Sequence, residues 1–189
     1  VKNAIDAAHF CADRQRGISF RNRLGIPLDA PVIGAVGRLN GEKDYPNFLA
    51  AAKLLLERYD NLVFTIAGTG SLEDSLRLQT RRLGISDKVH FLGHQPDVRP
   101  VYDMLDVYVL SSTREGLPNT VLEAMAMEVP IVSTDVDGVA EAVCGGTEAI
   151  LVPARNARLL ADGVSRVLDD PQLASHLCRT ARDKVCNSF

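Results

Sequence analysis

Residues 31–68 read "PVIGAVGRLNGEKDYPNFLAAAKLLLERYDNLVFTIAG", two apolar runs with a helical period between them. "PVIGAVG" is a short apolar run expected to be a strand. A helix is expected from about Tyr45 to Tyr59, because Phe48, Leu49, Ala52, Leu55 and Leu56 fall on one face. "NLVFTIAG" is then a second strand. The alternation continues outward. Ser71 with Asp74 three residues on resembles a capping box that opens a helix, and Gly84 stands where a left-handed cap would close it. "VHFLG" (89–93) reads as a third strand, with a short helix near Asp97 to Met104 leading to a fourth, "DVYVLSS". "PIVST" is the fifth, a short helix follows Gly138, "AILVP" is the sixth, and helices are expected over 156–169 and 171–186. The first thirty or so residues read as polar and irregular.

Short apolar strands separated by helices describe an α/β, Rossmann-like fold: a doubly wound parallel sheet of about six strands, covered on both faces. Ligands of such folds bind outside the carboxyl ends of the strands. With the strand order 3-2-1-4-5-6, strands one and four are neighbours at the switch point. "GRLNGEK" after the first and "EGLPNT" after the fourth should therefore meet.

Bulk properties narrow the function classes. The chain has 189 residues, 46% hydrophobic and 24% charged, which suits one domain with a full core. A net charge of −3 argues against a general binder of nucleic acid or of membrane surfaces. No apolar run reaches the length of a membrane span, and "VKNAIDAAHF" is not a signal peptide, so a cytoplasmic location is expected. The opening without Met and the end straight after a helical run suggest a piece of a longer protein. Cys11, Cys144, Cys178 and Cys186 lack metal-site spacing and are expected to be plain thiols, and no metal site is expected.

Chemistry concentrates in "EGLPNTVLEAMA", residues 115–126. Pro118 is expected at the first helical position, which makes Leu117 the N-cap. Leu has no side-chain oxygen, so the amides of Asn119 and Thr120 lack the usual acceptor, and an anion such as phosphate is a natural occupant. Water or a neighbouring loop is the plainer one. In "GRLNGEKD", Gly37 ends a strand and Arg38 and Lys43 stand on a Gly-containing turn. Either cation alone could be a solvated surface group. Both beside an anion-ready helix end suit a diphosphate. Glu115 and Glu123 bracket the helix start, Glu123 lying about 7.5 Å along the axis from Pro118. Sugar hydroxyls give a carboxylate a reason to sit near phosphate. A glycosidase acid and base pair is the alternative, and it leaves Arg38, Lys43 and the bare helix end without a task. "AGTGS" reads as a tight turn and "DVD" (135–137) as a loop or cap, although the latter resembles a metal-binding D-x-D. His94 could approach a base or merely cover its loop.

Taken in order, "NAIDAAHF", "VGRLNGEKD", "IAGTG", "VHFLGHQPDV", "SSTREGLPNTVLEAMA", "PIVSTDVDGVAE" and "LVP" resemble the C-terminal, donor-binding half of family-four glycosyltransferases (glycosyl transferases group 1), of the GT-B type with two Rossmann-like domains. The resemblance implies that residues 1–24 are the interdomain linker and 25–189 the nucleotide-sugar-binding domain. It implies transfer of a hexose from a UDP or GDP sugar, with retention and without a metal or other cofactor. The acceptor would be a saccharide or lipid, met through an absent N-terminal domain, so the chain alone is expected to be inactive. A cytoplasmic place, or peripheral attachment at the inner face of the membrane, follows in the same way. Arg38 and Lys43 would hold the diphosphate with the amides of Leu117, Asn119 and Thr120, in the loop that Gly116 and Pro118 shape. Glu123 would bind ribose and Glu115 would face the donor sugar. Gly37 would lie beside the donor, and the backbone at Gly93 and His94 would meet the base. Asp137 departs from the family, which often has Gly there. A nucleotide-sugar epimerase, a glycosyl phosphorylase or a non-enzymatic nucleotide-binding module are the other readings of the same residues.

Overall fold

The computed structural model describes residues 5–189. "NAIDAAHF" begins at Asn3, so its first two residues, like the start of the expected linker, lie outside the described part.

Six parallel strands form one sheet in the order β3-β2-β1-β4-β5-β6, as the sequence predicts. They are β1 (Val32–Val36), β2 (Val63–Ala67), β3 (Val89–Gly93), β4 (Val107–Leu110), β5 (Ile131–Thr134) and β6 (Ile150–Val152). The helices are α1 (Arg14–Leu24), α2 (Tyr45–Leu56), α3 (Glu73–Leu83), α4 (Arg99–Asp103), α5 (Asn119–Ala126), α6 (Val139–Ala142), α7 (Ala157–Asp169) and α8 (Pro171–Ser188). Strand alternation divides the core between two layers. Val32 and Val36 of β1, with Tyr108 and Leu110 of β4, face a layer that includes Phe20, Tyr102, Val121, Met125 and Val185. Ile33 and Ala35 of β1, with Val107 and Val109 of β4, face Phe48, Leu49, Leu55, Leu160 and Val164. Each such side chain contributes about 1.5–3 kcal/mol through burial, so a strand buried on both faces is apolar along most of its length.

The polar opening is not irregular throughout. Residues 14–24 form α1, capped by Asp13, whose carboxylate accepts from the amides of Gln15 and Arg16, and closed by Gly25 in the left-handed region. Only Gly17 and Phe20 of this helix are buried. Polar contacts attach it instead: Arg16 pairs with Asp103, and Arg21 pairs with Asp106 at 2.8 Å and donates to the Met104 carbonyl at 2.9 Å.

Two helix starts also differ from expectation. Ser71 does not cap α3; Leu72 precedes the helix, without a side-chain cap. The Leu72 amide instead donates to the Leu39 carbonyl at 3.1 Å, so the adjoining loop fixes the entry. Helix α5 begins one residue late, with Pro118 rather than Leu117 as N-cap. The Pro118 backbone is extended (φ −80°, ψ 111°) while its carbonyl accepts from Val121 and Leu122, which is what an N-cap residue does. Among the described residues, no helix is long and apolar enough to cross a membrane.

Candidate functional site

The loops after β1 and β4 meet at the carboxyl edge of the sheet. Beyond β1 the chain runs beside the end of β2: Gly37 N donates to Ala67 O at 2.9 Å and Leu39 N to Thr69 O at 3.0 Å. Gly68 makes this approach possible. Its φ is +136°, and a Cβ there would lie 1.9 Å from the Gly37 carbonyl oxygen, so no side chain fits. The loop then makes a single 3-10 turn, Gly41–Lys43, capped by the Asn40 side chain. Three bonds tie that turn to the β4 side. Thr113 N donates to Glu42 O at 2.8 Å, Ser111 Oγ donates to Lys43 O at 2.7 Å, and Lys43 Nζ lies 2.6 Å from Glu115 Oε1.

Both partners of that ion pair are largely shielded, with side-chain exposures of 18% for Lys43 and 11% for Glu115. Ser112 Oγ donates to the same carboxylate oxygen at 2.6 Å, and the Thr134 hydroxyl holds the Ser112 carbonyl at 2.6 Å. Beneath them, burial and then the nearby Glu115 charge push the Tyr45 phenol well above its usual range, so it is a neutral hydroxyl.

Helix α5 starts immediately beyond, with no side-chain cap, so the amides of its first turn add positive potential to this edge. Pro118 is buried, Leu117 packs against the core, and Asn119 is exposed. Gly116 is held from behind by the turn after β5. A Cβ on Gly138 would fall 2.1 Å from the Gly116 carbonyl oxygen, and Gly138 N donates to Glu115 O at 3.3 Å. The close approach in "DVDG" is thus made by Gly138, and Asp135 and Asp137 are exposed.

The expected residues fall into three neighbouring groups. Gly37, Arg38 and His94 line one cavity of about 310 Å³, together with Gly68, Thr69 and Gln95. Arg38 is exposed, and among the described residues its side chain has no partner. Gly93 lies behind His94, its carbonyl accepting from Gly68 N at 2.8 Å. Lys43 and Glu115 form the second group. Glu123 and Asn119 line a separate pocket of about 130 Å³ with Ile5, Asp6 and Phe10 of the N-terminal segment. Glu123 is mostly buried, and Tyr102 OH donates to its Oε2 at 2.7 Å. Burial raises the Glu123 carboxyl above the usual range, and the Tyr102 bond partly offsets this. Thr120 contributes its carbonyl, 3.1 Å from Tyr102 OH.

Sequence reasoning missed Ser112, Tyr102 and the roles of Gly68, Thr69 and Gln95. Residues 68–70 of "AGTGS" are irregular rather than a tight turn, a turn beginning only at Ser71, and Gly68 and Thr69 wall the cavity. The pairing of two residues expected to contact donor, Lys43 and Glu115, was likewise unforeseen. Among the described residues, no three His, Cys, Asp or Glu side chains gather as ligands for a metal ion.

The fold and these loops define a doubly wound α/β domain whose charged groups converge at the switch point. Residues 18–184 match the family described as Glycosyl transferases group 1, and the chain belongs to that family. Curated relatives include the lipopolysaccharide core biosynthesis glycosyltransferase LpsE of Rhizobium meliloti, 30% identical over 89% of this chain and 48% of its own length. Another is the alpha-D-kanosaminyltransferase of Streptomyces kanamyceticus, 33% identical over 88% of this chain and 43% of its own length. The chain therefore spans about half the length of such relatives. Among solved structures, the C-terminal domain of the group 1 protein LpcC from Francisella tularensis superposes with a TM-score of 0.86 at 22% identity, covering 98% of both chains. Anabaena HepE, solved in complex with UDP and glucose, superposes with a TM-score of 0.92 at 22% identity, over 99% of this chain and 51% of that one. The shared architecture is the GT-B C-terminal domain.

Proposed function

We propose that this chain is the donor-binding half of a retaining, metal-independent glycosyltransferase that moves a hexose from a UDP or GDP sugar to a saccharide or lipid-linked acceptor. The observation that carries the reading is the meeting of the β1 and β4 loops, which sets Lys43 against Glu115 directly before the uncapped start of α5. When the bond from the anomeric carbon to the diphosphate breaks, its electron pair passes to the phosphate oxygen. Arg38, Lys43 and the amides of Asn119 and Thr120 are the groups available to stabilise that charge, which is the work a divalent cation would otherwise do. Lys43 has three N–H donors, so it can keep Glu115 and still reach a phosphate oxygen. In this reading Glu115 accepts from donor-sugar hydroxyls, Glu123 from the ribose diol, and the Gly37–Arg38–His94 cavity takes the base and diphosphate. The acceptor side belongs to residues outside this chain, so the chain alone binds donor without transferring sugar. The place of action is the cytoplasm or the inner face of its membrane.

The test is proton NMR of the product formed by the whole protein from UDP or GDP sugars in EDTA. A new glycoside with the donor's anomeric configuration supports the reading. An epimerised nucleotide sugar, an inverted product or an absolute metal requirement contradicts it.

A further inference from the structure

We propose that Tyr102 is a positioning residue for donor binding: from beneath α5 it holds the Glu123 carboxylate in the orientation that meets the ribose, a proposal that rests on the reading of Glu123 given above. Tyr102 lies on α4 and is completely buried. Its hydroxyl is 2.7 Å from Glu123 Oε2 and 3.1 Å from the Thr120 carbonyl oxygen. A phenol has one proton to give, and the Thr120 carbonyl alone would satisfy it. A bond to an ionised carboxylate is about twice as strong as a neutral one, so Glu123 takes that proton when charged.

The arrangement fixes one oxygen and leaves the other. Oε2 is tied into the core, no described residue donates to Oε1, and Glu123 lines the pocket shared with Asn119 and Asp6. A ribose diol supplies the donors such an oxygen lacks. Among the described residues, the titratable groups facing Glu123 are Tyr102 from α4, Tyr108 from β4 and Asp6 from the N-terminal segment, none of them a cation. Tyr102 is thus the described donor that favours the ionised form of a mostly buried carboxylate, against the larger effect of burial. When the carboxyl is protonated, it can donate to the phenol oxygen while the phenol proton turns to Thr120 O. The same two distances accommodate both states, but only the ionised one offers the ribose a full acceptor.

The experiment is calorimetric titration of the chain with UDP, GDP and ADP at a series of pH values across the acid and neutral range. Wild type, Tyr102→Phe, Glu123→Ala, Glu123→Gln and the Tyr102→Phe/Glu123→Gln double variant are compared. Affinity for the preferred nucleotide is expected to fall about tenfold in Tyr102→Phe at pH 7, the factor for losing one hydrogen bond to a charged group. Its acid limb should move to higher pH. In the Glu123→Gln background, adding Tyr102→Phe should change neither quantity. Should Tyr102→Phe unfold, 3-fluorotyrosine at position 102, a stronger donor of nearly the same size, should move the acid limb to lower pH. Unchanged affinity and an unmoved limb in the Tyr102 variants, with binding lost in Glu123→Ala, would overturn the positioning role and leave the site reading intact. Full binding in Glu123→Ala, or no nucleotide bound by wild type, would remove the reading on which the proposal rests.

Discussion

Lys43 Nζ and Glu115 Oε1 stand 2.6 Å apart, although the two residues are 72 positions apart in sequence and lie on loops from different strands. The pair is what the switch point produces: β1 and β4 are neighbours, so the loops leaving their carboxyl ends converge. Lys43→Ala leaves Glu115, among the described residues, with only the Ser112 hydroxyl as donor and removes a cation from the proposed diphosphate site. Affinity for a nucleoside diphosphate is expected to fall roughly 10- to 100-fold, and for the nucleoside itself far less. Equal losses for both, measured by titration, would place Lys43 outside the phosphate contacts.

Arg38 is exposed, shares its cavity with His94, and its side chain has no partner among the described residues. Its planar fork can hold two phosphate oxygens together, which an ammonium cannot. Arg38→Lys is therefore expected to recover only part of the affinity lost in Arg38→Ala. Full recovery in titrations at one ionic strength would show that charge alone matters there.

Gly68 lets the β2 loop touch the backbone of the β1 loop, and its φ of +136° with a Cβ position 1.9 Å from Gly37 O admits no side chain. Gly68→Ala is expected to lower stability by about 2–4 kcal/mol, combining backbone strain with overpacking. That corresponds to a fall in Tm of order 5–15 °C for a domain of this size. A smaller shift on thermal denaturation would mean that the two loops can separate freely.

Glu123 supplies a prediction about pH and stability. Its folded carboxyl is raised by burial above the ordinary value of 4.5, so the native state binds this proton more tightly than the unfolded chain does. The proton-linked stability is present below the unfolded value and is lost as pH rises through the folded one. Glu123→Gln, which cannot ionise, should therefore gain stability relative to wild type between pH 4 and pH 7. Denaturation midpoints compared at the two pH values check this, and a constant difference would mean that the carboxyl titrates normally.

The sheet was legible because its signals are local. Each strand is an apolar run and each crossover helix has an apolar face, so the strand order and the meeting of the "GRLNGEK" and "EGLPNT" loops both follow from alternation and the switch-point rule, whereas the ion pair that Lys43 and Glu115 make there does not. Helix α1 was not legible, because Arg16 and Arg21 attach it through Asp103 and Asp106, and such contacts leave no periodic apolar stripe. The start of α5 was misplaced by one residue because a proline suits both the N-cap and the first helical position; only its extended ψ distinguishes them. Nothing in the sequence singles out Tyr102, which lies in the core. Its second role depends on α4 lying beneath α5, which no spacing reveals.

The loops after β1 and β4, with the start of α5, are proposed to form a metal-independent diphosphate site. The measurement is titration of the chain with UDP, GDP and ADP in EDTA, repeated with Arg38→Ala and Glu123→Ala. One nucleotide is expected to bind without metal and to lose at least about tenfold in affinity in each variant, as removal of a charge-assisted contact implies. Binding that needs a divalent cation, or that survives both substitutions unchanged, would contradict the account.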